Sequence, residues 1–269
     1  MFMKLNYKHL ETTFIASDIL QISLNRPELH NAFNEELIAE LTDLATKLQT
    51  NSEIRIVILT GNGKSFCAGA DLNWMKKTKD FSFEENIEDS NKLGTMFYVL
   101  NELPQAIIGK INGSAIGGGT GLVSICDISV AIDRAKFGFS EVNLGLIPAV
   151  ISPFVIGKID FRNAREFFIT GERFDAQKAL SLGLVNYVVS SEEEMNQKIT
   201  YLINQIYSSG PNAVKESKLL VKTLQNINMQ ELLTKTASKI ASIRTSEEGQ
   251  EGISAFLEKR KAKWFKKVE

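Results

Sequence analysis

The stretch Ala106-Ile107-Ile108-Gly109-Lys110-Ile111-Asn112, followed by Gly113-Ser114-Ala115-Ile116 and then Gly117-Gly118-Gly119-Thr120-Gly121-Leu122-Val123-Ser124-Ile125-Cys126, decides how this chain is read. Ala106 to Asn112 is apolar enough for a buried strand, the glycine triplet punctuates it, and Thr120 to Cys126 predicts the start of a helix. The same design occurs earlier. Arg55 to Thr60 predicts a strand, Ser65-Phe66-Cys67-Ala68-Gly69 follows, and Ala70-Asp71-Leu72 opens a helix. Backbone N–H groups at a helix N-terminus have no intrahelical partners and carry positive partial charge. Two such ends aimed at one point would form an oxyanion hole. Tight strand-to-helix packing would need the same glycines; the pairing of two small-residue junctions is what favours the functional reading. Asp71 reads as an N-cap, so the candidate donor is the backbone beside it and not its carboxylate.

Composition removes several alternatives. With 269 residues, 43% of them hydrophobic, the chain can bury one sizeable core, or one core and a helical appendage. A net charge of −1 supplies no broad basic field for nucleic acid. Cys67 and Cys126 are the two cysteines, far apart, which predicts a reducing compartment and no disulfide framework. No apolar run approaches the roughly 18 residues of a membrane span, and Met1 to Asn6 lack a signal-peptide pattern. A soluble cytoplasmic protein is expected. The two histidines, His9 and His30, both lie near the start, and no nucleophile elbow is present, which disfavours Ser-His-Asp and Cys-His chemistry. No spacing suits a metal site, a Walker loop or a dinucleotide fingerprint, so no metal and no cofactor is expected.

The organisation predicts an α/β protein with strand–helix units in the first two-thirds and helices in the last third. Thr13 to Leu24 reads as a hairpin turning at Ser17-Asp18. Asn34 precedes a helix whose apolar stripe is Leu37, Ile38, Leu41, Leu44, Ala45 and Leu48. Lys76 to Ser90 is charged, with no apolar period before Leu93, and reads as a mobile, solvated connection. Ile128 to Ile132, Phe137 to Phe139 and Tyr187 to Val189 read as short strands. Ser152-Pro153 reads as an N-cap with proline at the first helical position. Helices are predicted over Arg162–Thr170, Ala176–Leu182, Ser191–Tyr207, Ala213–Leu224, Met229–Ile243 and Gly249–Trp264, with a hinge at Gly210-Pro211.

Ser65 through Leu72, Asn112-Gly113 with Gly117-Gly118-Gly119, Cys126-Asp127-Ile128, and Phe137 through Glu141 to Leu144-Gly145-Leu146-Ile147-Pro148 together resemble the enoyl-CoA hydratase/isomerase (crotonase) family. The match continues through Asn25-Arg26-Pro27, Asn31-Ala32, Thr170-Gly171, Ala179 to Val185 and Glu247 to Lys261, in order over nearly the whole chain. The resemblance implies a crotonase-like spiral of ββα units over residues 1–208, which holds an acyl-CoA site, and a C-terminal helical trimerisation region over 209–269. It implies an acyl-CoA thioester as substrate, with coenzyme A entering as part of it, and a homotrimer or a hexamer built from two trimers. Membrane and nucleic acid partners are not expected. Ala70 and Gly118 match the donors of the oxyanion hole, and Glu141 matches the glutamate that exchanges a proton with the substrate carbon. A carboxylate buried near an acyl chain has its pKa raised, as general acid/base work prefers; without the resemblance Glu141 reads as a surface residue. The backbone at Ala68, Ala70, Asp71 and Leu72 matches the wall for the nucleotide and pantetheine, with Glu28 and His30 beside it. Phe256 and Lys259 match positions from which a neighbouring subunit reaches the CoA phosphates; Lys259-Arg260-Lys261 would otherwise be a solvated helix face. Asp127 reads as structural and Trp74 as core.

Two departures from the family pattern matter. The second, water-activating glutamate of the hydratases would stand at Gly121, so a carboxylate is missing there. Either Glu141 both activates water and delivers the proton, or the protein moves a proton between carbons, as Δ3,Δ2-enoyl-CoA isomerases of the family do. Ala149-Val150-Ile151-Ser152-Pro153-Phe154 replaces a glycine-rich turn. With Gly121 and Leu72-Asn73-Trp74-Met75, it is similar to the methylglutaconyl-CoA hydratases of bacterial leucine breakdown and their isoprenoid-pathway relatives. That favours hydration of a branched or carboxylated enoyl-CoA, with the isomerase as the alternative. RNA binding and a non-catalytic role are further alternatives, the first disfavoured by the near-neutral charge.

Overall fold

The computed structural model describes residues 6–224 and 228–268. They fall into two compact units, one of residues up to 103 with 107–196, the other of 104–106 with 197 onward.

The first unit begins with a hairpin, β1 (Leu10–Ala16) and β2 (Ile19–Leu24), that turns where the alternation predicts. A 3-10 turn at Pro27–Leu29 leads to α1 (Glu35–Gln49), whose buried residues are the six of the predicted stripe and whose cap is Asn34, accepting from the Leu37 N–H at 2.9 Å. Then follow β3 (Ile56–Gly61), α2 (Leu72–Thr78), α3 (Phe83–Asn101), β4 (Ala106–Ile111), β5 (Ala115–Ile116) and α4 (Gly118–Ile125). β6 (Ile128–Ile132), β7 (Lys136–Gly138), a 3-10 turn at Ser140–Leu144, α5 (Ser152–Thr170), β8 (Arg173–Asp175), α6 (Ala176–Ser181) and β9 (Tyr187–Val189) complete it. The main sheet has the order β1-β2-β3-β4-β6-β9; β2 runs parallel to β3, and β6 runs parallel to β4 and to β9. Every residue of β3 is buried, as expected of a parallel strand covered on both faces. A small sheet, β5-β7-β8, stands beside α4. β5 and β8, of two and three residues, are too short to show a period and escape the sequence reading.

Three expectations need correction. Lys76 to Ser90 is not a loose connection: α2 continues to Thr78 and α3 begins at Phe83. Ser82 and Glu85 form a capping box, the Glu85 N–H reaching Ser82 Oγ at 3.1 Å and the Ser82 N–H reaching Glu85 Oε2 at 2.7 Å. The buried residues of α3 are Met96, Phe97 and Leu100, all near its end, so its earlier turns show no apolar period. Ser152 is not the cap of α5; Ile151 is, while Ser152 Oγ donates to the Ala149 carbonyl at 2.8 Å. The helix breaks at Asp160, in the left-handed region at φ 64°, and its carboxylate restarts it by accepting the Asn163 N–H at 2.9 Å. The helix predicted to reach Trp264 stops at Leu257, where Lys259 turns left-handed at φ 56°.

α7 (Glu192–Ser208) begins in the first unit, which ends at residue 196, and continues in the second. The second unit adds α8 (Pro211–Thr223), α9 (Met229–Thr245) and α10 (Glu247–Leu257). The free N–H groups of α8 at Asn212 and Ala213 donate to the Glu248 carboxylate at 2.9 and 2.8 Å. Among the described residues no helix is long and apolar enough to cross a membrane.

Candidate active site

The two glycine junctions meet. Cys67 forms a parallel bridge with Ala115, and the Ile116 N–H donates to the Cys67 carbonyl at 3.0 Å. A Cβ on Gly69, which turns left-handed at φ 90°, would lie 2.8 Å from the Ile116 carbonyl oxygen and 3.9 Å from the Gly118 nitrogen. Only glycine permits this approach.

On its other side the first junction is held by the loop before α1. The Phe33 N–H donates to the Gly69 carbonyl at 2.6 Å and the Asp71 N–H donates to the Phe33 carbonyl at 2.8 Å, a parallel bridge centred on Ala70. In such a bridge the N–H of the central residue points away from the partner strand. The Ala70 N–H is therefore left over, and so is that of Gly118 in the first turn of α4; neither donates to a group among the described residues. Ala70 is exposed and Gly118 half-buried. These are two fixed donors on adjoining segments, the arrangement an oxyanion requires.

Asp71 is buried, and both carboxylate oxygens are committed. Oδ1 caps α2 by accepting the Asn73 N–H at 2.7 Å, and Oδ2 pairs with Arg26 Nη2 at 2.6 Å. Burial pushes this carboxyl up, but the Asn73 N–H and the Arg26 guanidinium outweigh it and hold the group below its ordinary value. Arg26 Nη1 also donates to the Ala32 carbonyl at 2.5 Å. Buried Asn31 ties the same loop to the Asn62 and Ser65 carbonyls at 2.9 and 2.8 Å. Arg26 and Asn31 enter the sequence reading only inside family motifs, without a role in the site, and Phe33 not at all; the signal for a role of Arg26 is Asp71, an acidic group at a buried junction that needs a cation.

Glu141, in the 3-10 turn after β7, closes the site from the side of the second junction. A Cβ on Gly117, at φ 52° and ψ −120°, would lie 3.0 Å from Glu141 Oε1. Oε2 is buried with no hydrogen-bond partner among the described residues, and so is the neighbouring Ser140 hydroxyl. Burial raises the Glu141 pKa above its ordinary value. A carboxyl so placed is poised to take up and return a proton.

No such group stands at Gly121, and the space is filled. A Cβ there would lie 2.6 Å from Ile151 Cγ2 and 3.0 Å from two carbons of the Phe97 ring. Phe97 packs edge-on to Phe33 at 6.2 Å and against Phe154 at 5.7 Å between ring centroids. The Ala149–Phe154 segment thus supplies an apolar wall where the hydratase pattern has a carboxylate.

The remaining predicted residues are distributed as follows. Ala68 and Leu72 are exposed on the first junction, and Glu28 and His30 are exposed beside it, the Ala68 N–H donating to the His30 carbonyl at 2.9 Å. The His30 ring lies 3.0 Å from Ser65 Oγ. Phe256, 83% exposed, and Lys259 belong to the second unit. The Asp127 carboxylate accepts the Ile107 N–H at 2.7 Å, and Trp74 is buried with its Nε1 donating to Asp89 at 3.3 Å. The Cys67 thiol is buried, which pushes its pKa up to about 12 and removes it as a nucleophile. Among the described residues no cluster of His, Cys, Asp and Glu is placed to hold a metal ion. An open groove of about 890 Å³ between α1 and α3 is lined by residues such as Glu35, Lys77 and Asp89, and Ala70, Gly118 and Glu141 take no part in it.

Comparison with known proteins identifies the family and the fold. A family model described as enoyl-CoA hydratase/isomerase matches residues 15–267. The short-chain-enoyl-CoA hydratase of Clostridium acetobutylicum is 33% identical over 251 residues, 91% of this chain and 93% of that protein. The 2,3-dehydroadipyl-CoA hydratase of Escherichia coli is 31% identical over 243 residues, 90% of this chain and 93% of that one. Among solved structures, an enoyl-CoA hydratase from Shewanella pealeana is similar with TM-score 0.91 and 40% identity over 97% of each chain. Pseudomonas aeruginosa AtuE is similar with TM-score 0.93 and 30% identity over 96% of this chain and 100% of that one.

Proposed function

Because the chain belongs to the enoyl-CoA hydratase/isomerase family, we propose that it adds water across the C2=C3 bond of an enoyl-CoA thioester using Ala70, Gly118 and Glu141. The observation that carries this reading is the buried Oε2 of Glu141, without a partner among the described residues, next to a junction with two backbone donors that none of those residues uses. The thioester oxygen accepts the Ala70 and Gly118 N–H groups. As water attacks C3, the Glu141 carboxylate takes its proton and the π electrons move through C2 onto the thioester oxygen. Glu141 then returns the proton to C2, and the carbonyl re-forms. The donors are set by backbone geometry, so no reorganisation is needed when the charge appears.

The nucleotide and pantetheine lie along Ala68 to Leu72, beside Glu28 and His30, and Phe256 and Lys259 reach the phosphates from a neighbouring subunit. Exposed Val221, Leu224, Leu233, Ile240 and Leu257 on the C-terminal helices support assembly into a homotrimer or a hexamer. The location proposed is cytoplasmic. Gly121 and the Ile151–Phe97 wall support an acyl group shaped differently from a straight chain, a branched or carboxylated one of the methylglutaconyl kind.

The same wall favours a second reading. With Glu141 as the carboxylate beside the two donors, and Asp71 committed to Arg26 and the α2 cap, the site has the equipment of an isomerase that shuttles a proton between C2 and C4 of an enoyl-CoA. Purified protein offered straight, branched and carboxylated 2-enoyl-CoAs and a 3-enoyl-CoA separates the two. Hydration of a 2-enoyl-CoA, lost by about 10²-fold or more in Glu141→Gln, is the expected result. Double-bond migration without hydration would overturn the hydratase reading, and a Glu141→Gln rate within a few-fold of wild type would overturn the role of Glu141.

A further inference from the structure

We propose that Arg26 is a positioning residue of the oxyanion hole, clamping the strap at Ala32-Phe33 to Asp71 so that the Ala70 N–H stays aimed at the thioester oxygen. The inference rests on the reading of Ala70 as a donor.

The geometry is that of a clamp across one bridge. The Ala70 donor is held by Phe33, which bonds the residue before it and the residue after it, Gly69 and Asp71. Arg26 grips both strands of that bridge one step further along. Nη1 takes the Ala32 carbonyl, adjacent to Phe33, and Nη2 takes the Asp71 carboxylate, adjacent to Ala70. The planar fork of a guanidinium fixes the separation of its two acceptors, which a lysine ammonium cannot do. Arg26 is itself held at its backbone, since its N–H donates to Asn31 Oδ1 at 2.9 Å and its carbonyl accepts the Asn31 N–H at 2.9 Å.

The alternative is an ion pair kept for stability alone, and two observations weigh against it. Arg26 and Asp71 side chains are 7% and 5% exposed, and taking two charges that far out of water offsets most of their attraction. Arg26 Nε is buried without a hydrogen-bond partner among the described residues, so the pair does not satisfy all its own donors. What it does accomplish is geometric. A donor displaced by a fraction of an ångström leaves binding of the CoA portion intact and weakens the interaction that grows only as the oxyanion forms.

Two conservative variants test this. Arg26→Lys keeps the charge and loses the fork. Asp71→Asn keeps an acceptor for the Asn73 N–H, and asparagine is a good N-cap, but it weakens the grip of Arg26. Butyryl-CoA carrying ¹³C at the thioester carbonyl has no double bond to react, so its infrared C=O stretch reports polarisation by the hole directly. In wild type the stretch should move to lower frequency on binding. In both variants that shift should shrink, kcat should fall about tenfold, and KM should stay within about twofold, the pattern of a lost transition-state interaction. Melting temperatures recorded alongside confirm that each variant is folded at the assay temperature. A full wild-type infrared shift in both variants, with kcat unchanged or falling only with melting temperature, overturns the positioning role while leaving the donor assignment standing. Absence of the shift in wild type itself overturns the donor assignment, and the role of Arg26 with it.

Discussion

The Glu141 carboxylate lies against the backbone of Gly117, close enough that a Cβ on residue 117 would stand 3.0 Å from Oε1. Gly117 is also held at φ 52° and ψ −120°, a conformation that side chains rarely adopt. Gly117→Ala therefore meets two penalties at once, backbone strain of about 1–3 kcal/mol and displacement of the carboxylate. We expect a lower melting temperature and a loss of kcat of tenfold or more, with KM less affected. Steady-state kinetics with a 2-enoyl-CoA and calorimetry check it; a variant with wild-type kcat would show that the contact does not place Glu141.

Restoring the missing carboxylate should fail. In Gly121→Glu the new side chain meets Ile151 Cγ2 and the Phe97 ring, both within 3.0 Å of its first carbon. Overpacking of this kind costs about 1–3 kcal/mol, and an unpaired polar group among apolar neighbours adds to it. The expected outcome is a marked drop in melting temperature with no gain in hydration rate. A faster hydratase of unchanged stability would mean that the apolar wall yields readily and that the second carboxylate had simply been dispensable.

How much of this was legible in the chain differs from one element to the next. The stripe of α1 and the fully buried, largely apolar β3 were readable because pattern and burial coincide in them. The junctions were readable because glycine is there for steric reasons that leave a mark in sequence. α3 was not, since its buried residues crowd into the last turns and its start is specified by the Ser82–Glu85 capping box. In the site, Glu141 and Gly121 were visible through resemblance, and its meaning at Gly121 became physical only with Ile151 and Phe97 in place. Arg26 was visible only as part of a motif. Its action depends on Asp71, 45 residues away, and no local pattern encodes a contact of that range.

The capping box can be tested by itself. Ser82→Ala removes the acceptor for the Glu85 N–H and should cost about 1 kcal/mol, a fall in melting temperature of about 2–4 °C for a protein of this size. Phe97, the residue of α3 that faces Gly121, lies near the opposite end of the helix. The kcat should therefore stay within about twofold of wild type. Calorimetry and a hydration assay on one preparation decide this; an unchanged melting temperature would return the start of α3 to the loose connection that its charged sequence suggests.

The raised pKa of Glu141 has opposite consequences for activity and stability. Burial disfavours its ionised form, yet the proposed reaction needs that form to accept the proton of water. The kcat/KM should fall on the acid side through an ionisation above the usual carboxylate value of about 4.3, and Glu141→Gln should remove that limb. For stability the direction reverses. A group that holds its proton more tightly in the folded chain stabilises the fold fully below its unfolded pKa, and that contribution is lost as pH rises through the folded pKa. Above its folded pKa the native protein carries a buried carboxylate whose charge opposes folding, and Glu141→Gln is relieved of it. The variant should melt higher than wild type near pH 7 to 8, and the gap should close as the pH is lowered toward about 4. A series of melting curves against pH measures it. A gap that does not change with pH would mean that Glu141 is not desolvated in solution, which would take away the property that suits it to move a proton.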